Sequence, residues 1–135
     1  MKFEEWVEQV PDSIKNDPLW KFEVYPKALL LSDLVWSDCE GLLRNFKGRP
    51  IADQLIRCAG SVAANIEEGF GRGYGRDYAR FLSIALGSAR EARGWYYRSR
   101  QLLDEKTLDF RYKLLDEIVA LLVVHSNRQR GLSKK

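Results

Sequence analysis

Apolar residues recur at intervals of three and four along most of this chain, the spacing that gathers them on one face of an α-helix. The first long run is Ala28, Leu31, Val35, Cys39, Leu42 and Phe46, which predicts a helix from about Pro26 to Lys47, ended by Gly48. Pro50 suits the first turn of a second helix, where its missing N–H is not needed. That helix carries Ile51, Leu55, Ala59, Val62 and Ile66 inward and stops at Gly69. A third begins near Asp77, whose carboxylate favours a helix N-terminus, and turns Tyr78, Leu82, Ala85, Ala89, Ala92, Tyr96 and Leu103 inward. Asp104 is the expected N-cap of a fourth, with Leu108, Leu115, Ile118 and Leu122 facing the core. Four helices of roughly 20 to 28 residues joined by short loops predict an all-α fold, an antiparallel up-down four-helix bundle.

Residues 1–24 stand apart as a short N-terminal helical extension. Phe3, Trp6, Val7 and Val10 have the spacing of a brief amphipathic helix that Pro11 ends, and Trp20 and Phe22 lead into the bundle. Such an arm either packs on its own bundle or docks on a neighbouring subunit. Residues 25–128 form the bundle, and residues 129–135 read as a basic tail. A chain of 135 residues supports one domain. The apolar stretch from Ile118 to Val124 is far shorter than the roughly 20 residues of a membrane span. Glu4, Glu5 and Glu8 interrupt the segment where a secretory signal needs an apolar run. A cytoplasmic protein is expected.

Net charge is only +3, but it is unevenly placed. Residues 72–100 carry seven arginines against Asp77 and Glu91, and Arg128, Arg130, Lys134 and Lys135 close the chain. Every other segment is slightly acidic. Catalytic constellations are nearly absent. His125 is the only histidine, so a di-iron carboxylate bundle with its paired Glu-x-x-His motifs is excluded. Cys39 and Cys58 have no metal or redox spacing and read as buried free thiols. No cofactor or metal is expected. The glycine-rich run from Gly69 to Arg76 lacks the lysine-Ser/Thr ending of a phosphate-binding loop, and reads as a flexible turn. Arg72, Tyr74 and Arg76 nevertheless put cations and a ring in that open turn.

The third helix is the most informative element. At about 100° per residue, Arg80, Ser83, Gly87, Arg90, Gly94, Tyr97 and Arg98 all fall within about 60° of the line through Arg76. Opposite them lies the apolar seam. An ordinary solvated face mixes Glu with Lys in i,i+4 pairs, whereas this one is nearly all arginine, the cation that grips phosphate bidentately. Arg93 and Arg100 widen it to one side. Either these arginines meet nucleic-acid phosphate, or they pair with acids on other helices or subunits. The second helix carries a polar line of Gln54, Arg57, Ser61, Asn65, Glu68 and Arg72. Ser61 and Asn65 sit among apolar neighbours and need partners, which Ser88 or Glu91 on the third helix can supply. Ser61, Asn65, Glu68, Ser88 and Glu91 are therefore expected to form a structural polar network.

The run from Arg57 to Arg72, RCAGSVAANIEEGFGR, followed by IALGSARE from Ile84 to Glu91, resembles a known family. It is similar to the four-helix-bundle proteins encoded in intervening sequences of bacterial 23S rRNA genes, a family that includes the accessory variability protein of diversity-generating retroelements. The resemblance spans roughly Tyr25 to Asn127. It rests on Ser61, Asn65, Glu68, Gly69, Arg72, Ser88 and Glu91. Three features depart from it: Cys58 stands where a second arginine is usual, Glu67 where alanine is usual, and residues 1–21 are an extension. The resemblance implies an up-down bundle assembled into a ring-like homopentamer. For retroelement members it also implies binding to a reverse transcriptase and to nucleic acid. It carries over no catalytic residue.

The expected function is that of a non-enzymatic, oligomeric module that binds RNA or DNA backbone, accessory to a reverse transcriptase or an RNA-associated complex. Arg72, Arg76, Arg80, Arg90, Arg93 and Arg98 are the expected contacts. The alternative is a purely structural homo-oligomer in which the arginines serve subunit interfaces.

Overall fold

The computed structural model of the chain describes residues 2–133, and the described residues are helical and strand-free. A short α1 (Phe3–Val7), a single turn α2 (Asp12–Lys15) and a 3-10 turn (Pro18–Lys21) precede four long helices. These are α3 (Val24–Leu42), α4 (Gly48–Phe70), α5 (Arg76–Arg98) and α6 (Glu105–Ser133). Short connections make successive long helices antiparallel, and α5 packs extensively on both α4 and α6. The core is the seam expected from periodicity: Leu31, Val35, Leu55, Val62, Leu82, Leu115, Ile118 and Leu122 are fully buried. Burial of this apolar surface is the main stabilising term of the bundle.

The helix ends differ from those the period predicts, and local hydrogen bonding explains why. Helix α3 stops at Leu42 rather than Lys47. The Asn45 side chain accepts from the Lys47 N–H at 2.8 Å, a local bond that competes with helix continuation. Phe46 therefore leaves the seam and is 82% exposed. Gly48 does not end α3 but starts α4. It lies so close to the Leu42 carbonyl that a Cβ there would collide with it. Gly69 is likewise no stop. It is buried in the last turn of α4, where a Cβ would meet the Phe81 Cβ at 2.9 Å and the Tyr78 ring at 3.0 Å. Its role is the close approach of α4 to α5.

Helix α5 begins after Gly75, whose φ of +93° only glycine adopts readily. It ends at Arg98, short of Leu103. Buried Ser99 donates its hydroxyl to the Tyr96 carbonyl at 2.7 Å, and the backbone tightens into i to i−3 bonds. Asp104 caps α6 as expected: its carboxylate accepts from the Thr107 N–H at 2.7 Å, and hydrogen bonds from Thr107 hold its pKa below the usual range. Helix α6 then runs through residues 129–133, so most of the segment read as a basic tail is helix. Lys134 and Lys135 lie outside the described residues.

The arm packs on its own bundle. Trp6 is 4% exposed, donates its indole N–H to Asp33 of α3 at 2.7 Å, and stacks on Trp20 with centroids 6.3 Å apart. Val10 and Leu19 are buried with it. It docks beside the α3–α6 pair, the least extensive contact among neighbouring long helices, and Phe3 lies under Lys27 of α3. Two α3–α6 ion pairs close that side, Lys27–Glu117 at 3.1 Å and Asp38–Arg111 at 2.8 Å.

Candidate functional site

The six predicted arginines, five on α5 and Arg72 in the turn before it, lie in four different environments. Arg76 and Arg90 are exposed and make no hydrogen bond or ion pair with any described residue. Arg98 is exposed too, its guanidinium 4.5 Å above the Trp95 ring. At the α4–α5 turn, Arg72 meets Glu68 at 2.9 Å and Asp77 at 3.9 Å, while Arg80 meets Asp77 at 3.3 Å. Both guanidinium groups also lie over Phe81, at 5.3 and 4.7 Å. These pairs are solvent-exposed and worth only a few tenths of a kcal/mol each, so a phosphate competes readily for the arginines. Arg93 is the exception. It points to α6, where it holds Asp116 at 2.8 Å, and so ties two helices together rather than joining the open face.

A guanidinium from another helix joins the face where periodicity alone gave no reason to expect it. Arg130 of α6 donates to the Ser83 hydroxyl at 2.5 Å and to Asn127 at 2.8 Å. Arg76, Ala79, Arg80, Ser83 and Arg130 line a shallow cavity of about 420 Å³. Three arginines and a serine thus line one hollow, residue types suited to an oxyanion such as a backbone phosphate. The sequence signal was present, since Arg130 belongs to the charged end of the chain. Only continuation of α6 past residue 128 turns that charge toward α5.

The polar line on α4 is divided. The Ser61 and Ser88 hydroxyls are 2.7 Å apart, and Asn65 donates to the Ser61 carbonyl at 2.8 Å and to its hydroxyl at 3.0 Å. The Ser61–Ser88 bond fixes the register of α4 against α5, and Asn65 holds Ser61 in place from one turn along α4. Glu68 is exposed and turns to Arg72 instead. Glu91 accepts from the Trp95 indole at 3.1 Å and lies beside the Cys58 thiol, which burial and that carboxylate push up to about 12. Burial, with Asp38 nearby, pushes Cys39 up to about 11. Both thiols are buried, and burial disfavours the reactive thiolate. His125 packs edge-on against Phe22 at 4.7 Å, and burial lowers its pKa.

The apolar seam concealed one group. Asp38 of α3, one turn from Val35 and Leu42, accepts from the Tyr96 hydroxyl at 2.6 Å and from Arg111 at 2.8 and 3.0 Å. Burial disfavours the Arg111 charge, but the bonds to Asp38 outweigh it and raise its pKa. Burial and the Asp38 carboxylate likewise raise the Tyr96 hydroxyl. This cluster is structural: its side chains are largely buried and satisfy one another. No group of three or more His, Cys, Asp or Glu among the described residues could hold a metal ion. No helix among the described residues is long and apolar enough to cross a membrane.

A family model described as 23S rRNA-intervening sequence protein matches residues 20–124. The fold is similar to a crystal structure, at 1.70 Å resolution, of a protein of unknown function from the S23 ribosomal protein family of Bacteroides thetaiotaomicron. The TM-score is 0.70 at 23% identity, over 75% of this chain and 95% of that one. No curated protein matches. The family match starts at residue 20, so α1, α2 and the start of the 3-10 turn precede it.

Proposed function

We propose a function for a chain that belongs to the family of 23S rRNA-intervening sequence proteins: it is a non-enzymatic, oligomeric bundle that binds nucleic-acid backbone through the outer face of α5. The observation that carries this reading is the hollow of Arg76, Arg80, Ser83 and Arg130, continued along the same face by Arg90 and Arg98. Contacts of this kind are to phosphate, so binding is salt-dependent and weakly selective for sequence. Arg72 contributes from the adjoining turn, whereas Arg93, held by Asp116, stays outside the proposed contact set. The setting is the cytoplasm, and the role is accessory to a reverse transcriptase or another RNA-associated complex.

Self-association multiplies a modest patch on one subunit into a larger field. Bonds from Ser32 to the Ala59 carbonyl and from Cys39 to the Ala52 carbonyl set the register of α3 and α4, bringing Trp36 level with Ile56. Trp36 is 70% exposed and Ile56 is 42% exposed, an apolar outer face suited to another copy of the chain. The copy number implied by the family resemblance is five. The same face favours a second reading, a homo-oligomer with no nucleic-acid role.

The two readings separate on one double variant. Arg80→Glu with Arg90→Glu is expected to weaken RNA binding by about 100-fold, or about 2.7 kcal/mol, in fluorescence anisotropy, with helicity and oligomer mass unchanged. Retained binding at moderate salt overturns the proposal. A loss of oligomer mass in light scattering, with no RNA binding by the wild type, favours the scaffold instead.

A further inference from the structure

The turn between α3 and α4 is tightly pinned. Arg44, Asn45 and Gly48 donate their backbone N–H groups to Gly41, Leu42 and Asn45, and the Arg49 side chain reaches the Leu43 carbonyl at 3.3 Å. With the Asn45 bond to Lys47 and the close seating of Gly48 on Leu42, the turn has little freedom. It holds Phe46 outward, the most exposed large apolar side chain among the described residues. A single exposed ring is ordinary on a protein surface. What surrounds this one is not.

From Phe46 a groove of about 550 Å³ crosses the end of the bundle to the α5–α6 turn, with Ile51 and Leu102 contributing apolar surface and Arg44, Lys47, Arg98 and Gln101 the polar groups. No carboxylate lines it. Arg44 and Lys47 make no ion pair with a described residue, and Arg98 is engaged only with the Trp95 ring. Asp104, at the same end, is engaged in capping α6 through Thr107. Cations around an exposed ring, with no acid among them, are the elements by which proteins hold single strands: the ring takes a base face and the cations take the flanking phosphates.

We propose that this end of the bundle binds the unpaired strand of a nucleic acid, one base stacking on Phe46 while Arg44, Lys47 and Arg98 hold the adjoining phosphates. The proposal rests on the nucleic-acid reading of α5 and adds a preference for single strands, because a duplex keeps its base faces stacked inside. Arg98, the last residue of α5, joins the two surfaces.

The test compares the full chain with Phe46→Ala and Phe46→Trp, titrated against a labelled oligouridylate and a long blunt RNA duplex. Phe46→Ala is expected to lose about tenfold in affinity for the single strand, with duplex affinity changing less than about twofold. Phe46→Trp is expected to bind the single strand at least as well as the wild type. Phe46 is solvent-exposed, so neither variant should disturb folding, which circular dichroism checks. Unchanged single-strand binding by Phe46→Ala overturns the proposal and leaves the α5 face untouched. A lower oligomer mass with unchanged RNA affinity also overturns it, and assigns the ring to an interface between copies. If the wild type binds neither RNA, both readings fall.

Discussion

Asp38→Ala is expected to lower the stability of the bundle by about 3–5 kcal/mol, read as a fall in the urea midpoint at fixed protein concentration. The Asp38 side chain is 8% exposed and that of Arg111 12%, so removing the carboxylate strands a buried cation. It also leaves the Tyr96 hydroxyl, on a fully buried side chain, without its acceptor. The cost thus comes from what is left unpaired rather than from the attraction lost. The triple variant Asp38→Leu, Arg111→Met and Tyr96→Phe is accordingly expected to regain most of the loss, because no polar group then remains to be satisfied. A triple variant as unstable as the single one contradicts this account. Asp38 joins α3 to both α5 and α6, which explains why one residue on an otherwise apolar seam has such reach.

Trp6→Ala is expected to cost about 3–5 kcal/mol, the range for deleting a large buried aromatic side chain. Trp6 links the arm to α3 through Asp33, to Trp20 by stacking and to Phe3 at 5.7 Å. Its loss opens the side of the bundle where α3 and α6 touch least. Were the arm only an appendage, the global midpoint would stay within about 0.5 kcal/mol and loosening would be confined to residues before Val24. The arm lies almost entirely ahead of the family match, so this variant also asks whether the chain depends on its own addition for stability.

Periodicity made the bundle legible because long amphipathic helices state their inward face at every turn. Ala28 through Leu42 and Leu108 through Leu122 are buried as their spacing demands. Boundaries were less legible, because they depend on single local bonds that a 3.6-residue period does not register. Asn45 ends one helix early, Ser99 ends another, and Gly48 and Gly69 serve close approach rather than termination. The strip on α5 was legible as a direction in space, but not in its partners. Arg93 turns to Asp116, and Arg130 arrives from a segment that helix propensity alone did not extend. Asp38 was not legible in the period, because an apolar period registers only apolar positions. A carboxylate lying between Val35 and Leu42 on the same helical face was the signal, since a charge there must find a buried partner.

The salt dependence of RNA binding bears most directly on the open face of α5. For the wild-type chain, the logarithm of the association constant should fall linearly with the logarithm of salt concentration. If Arg76, Arg80, Arg90 and Arg130 each neutralise one phosphate of a single strand, the slope is about −3, and Arg90→Gln makes it shallower by about 0.7. An affinity that does not change with salt, or no binding at about 50 mM salt where such contacts are strongest, contradicts the account.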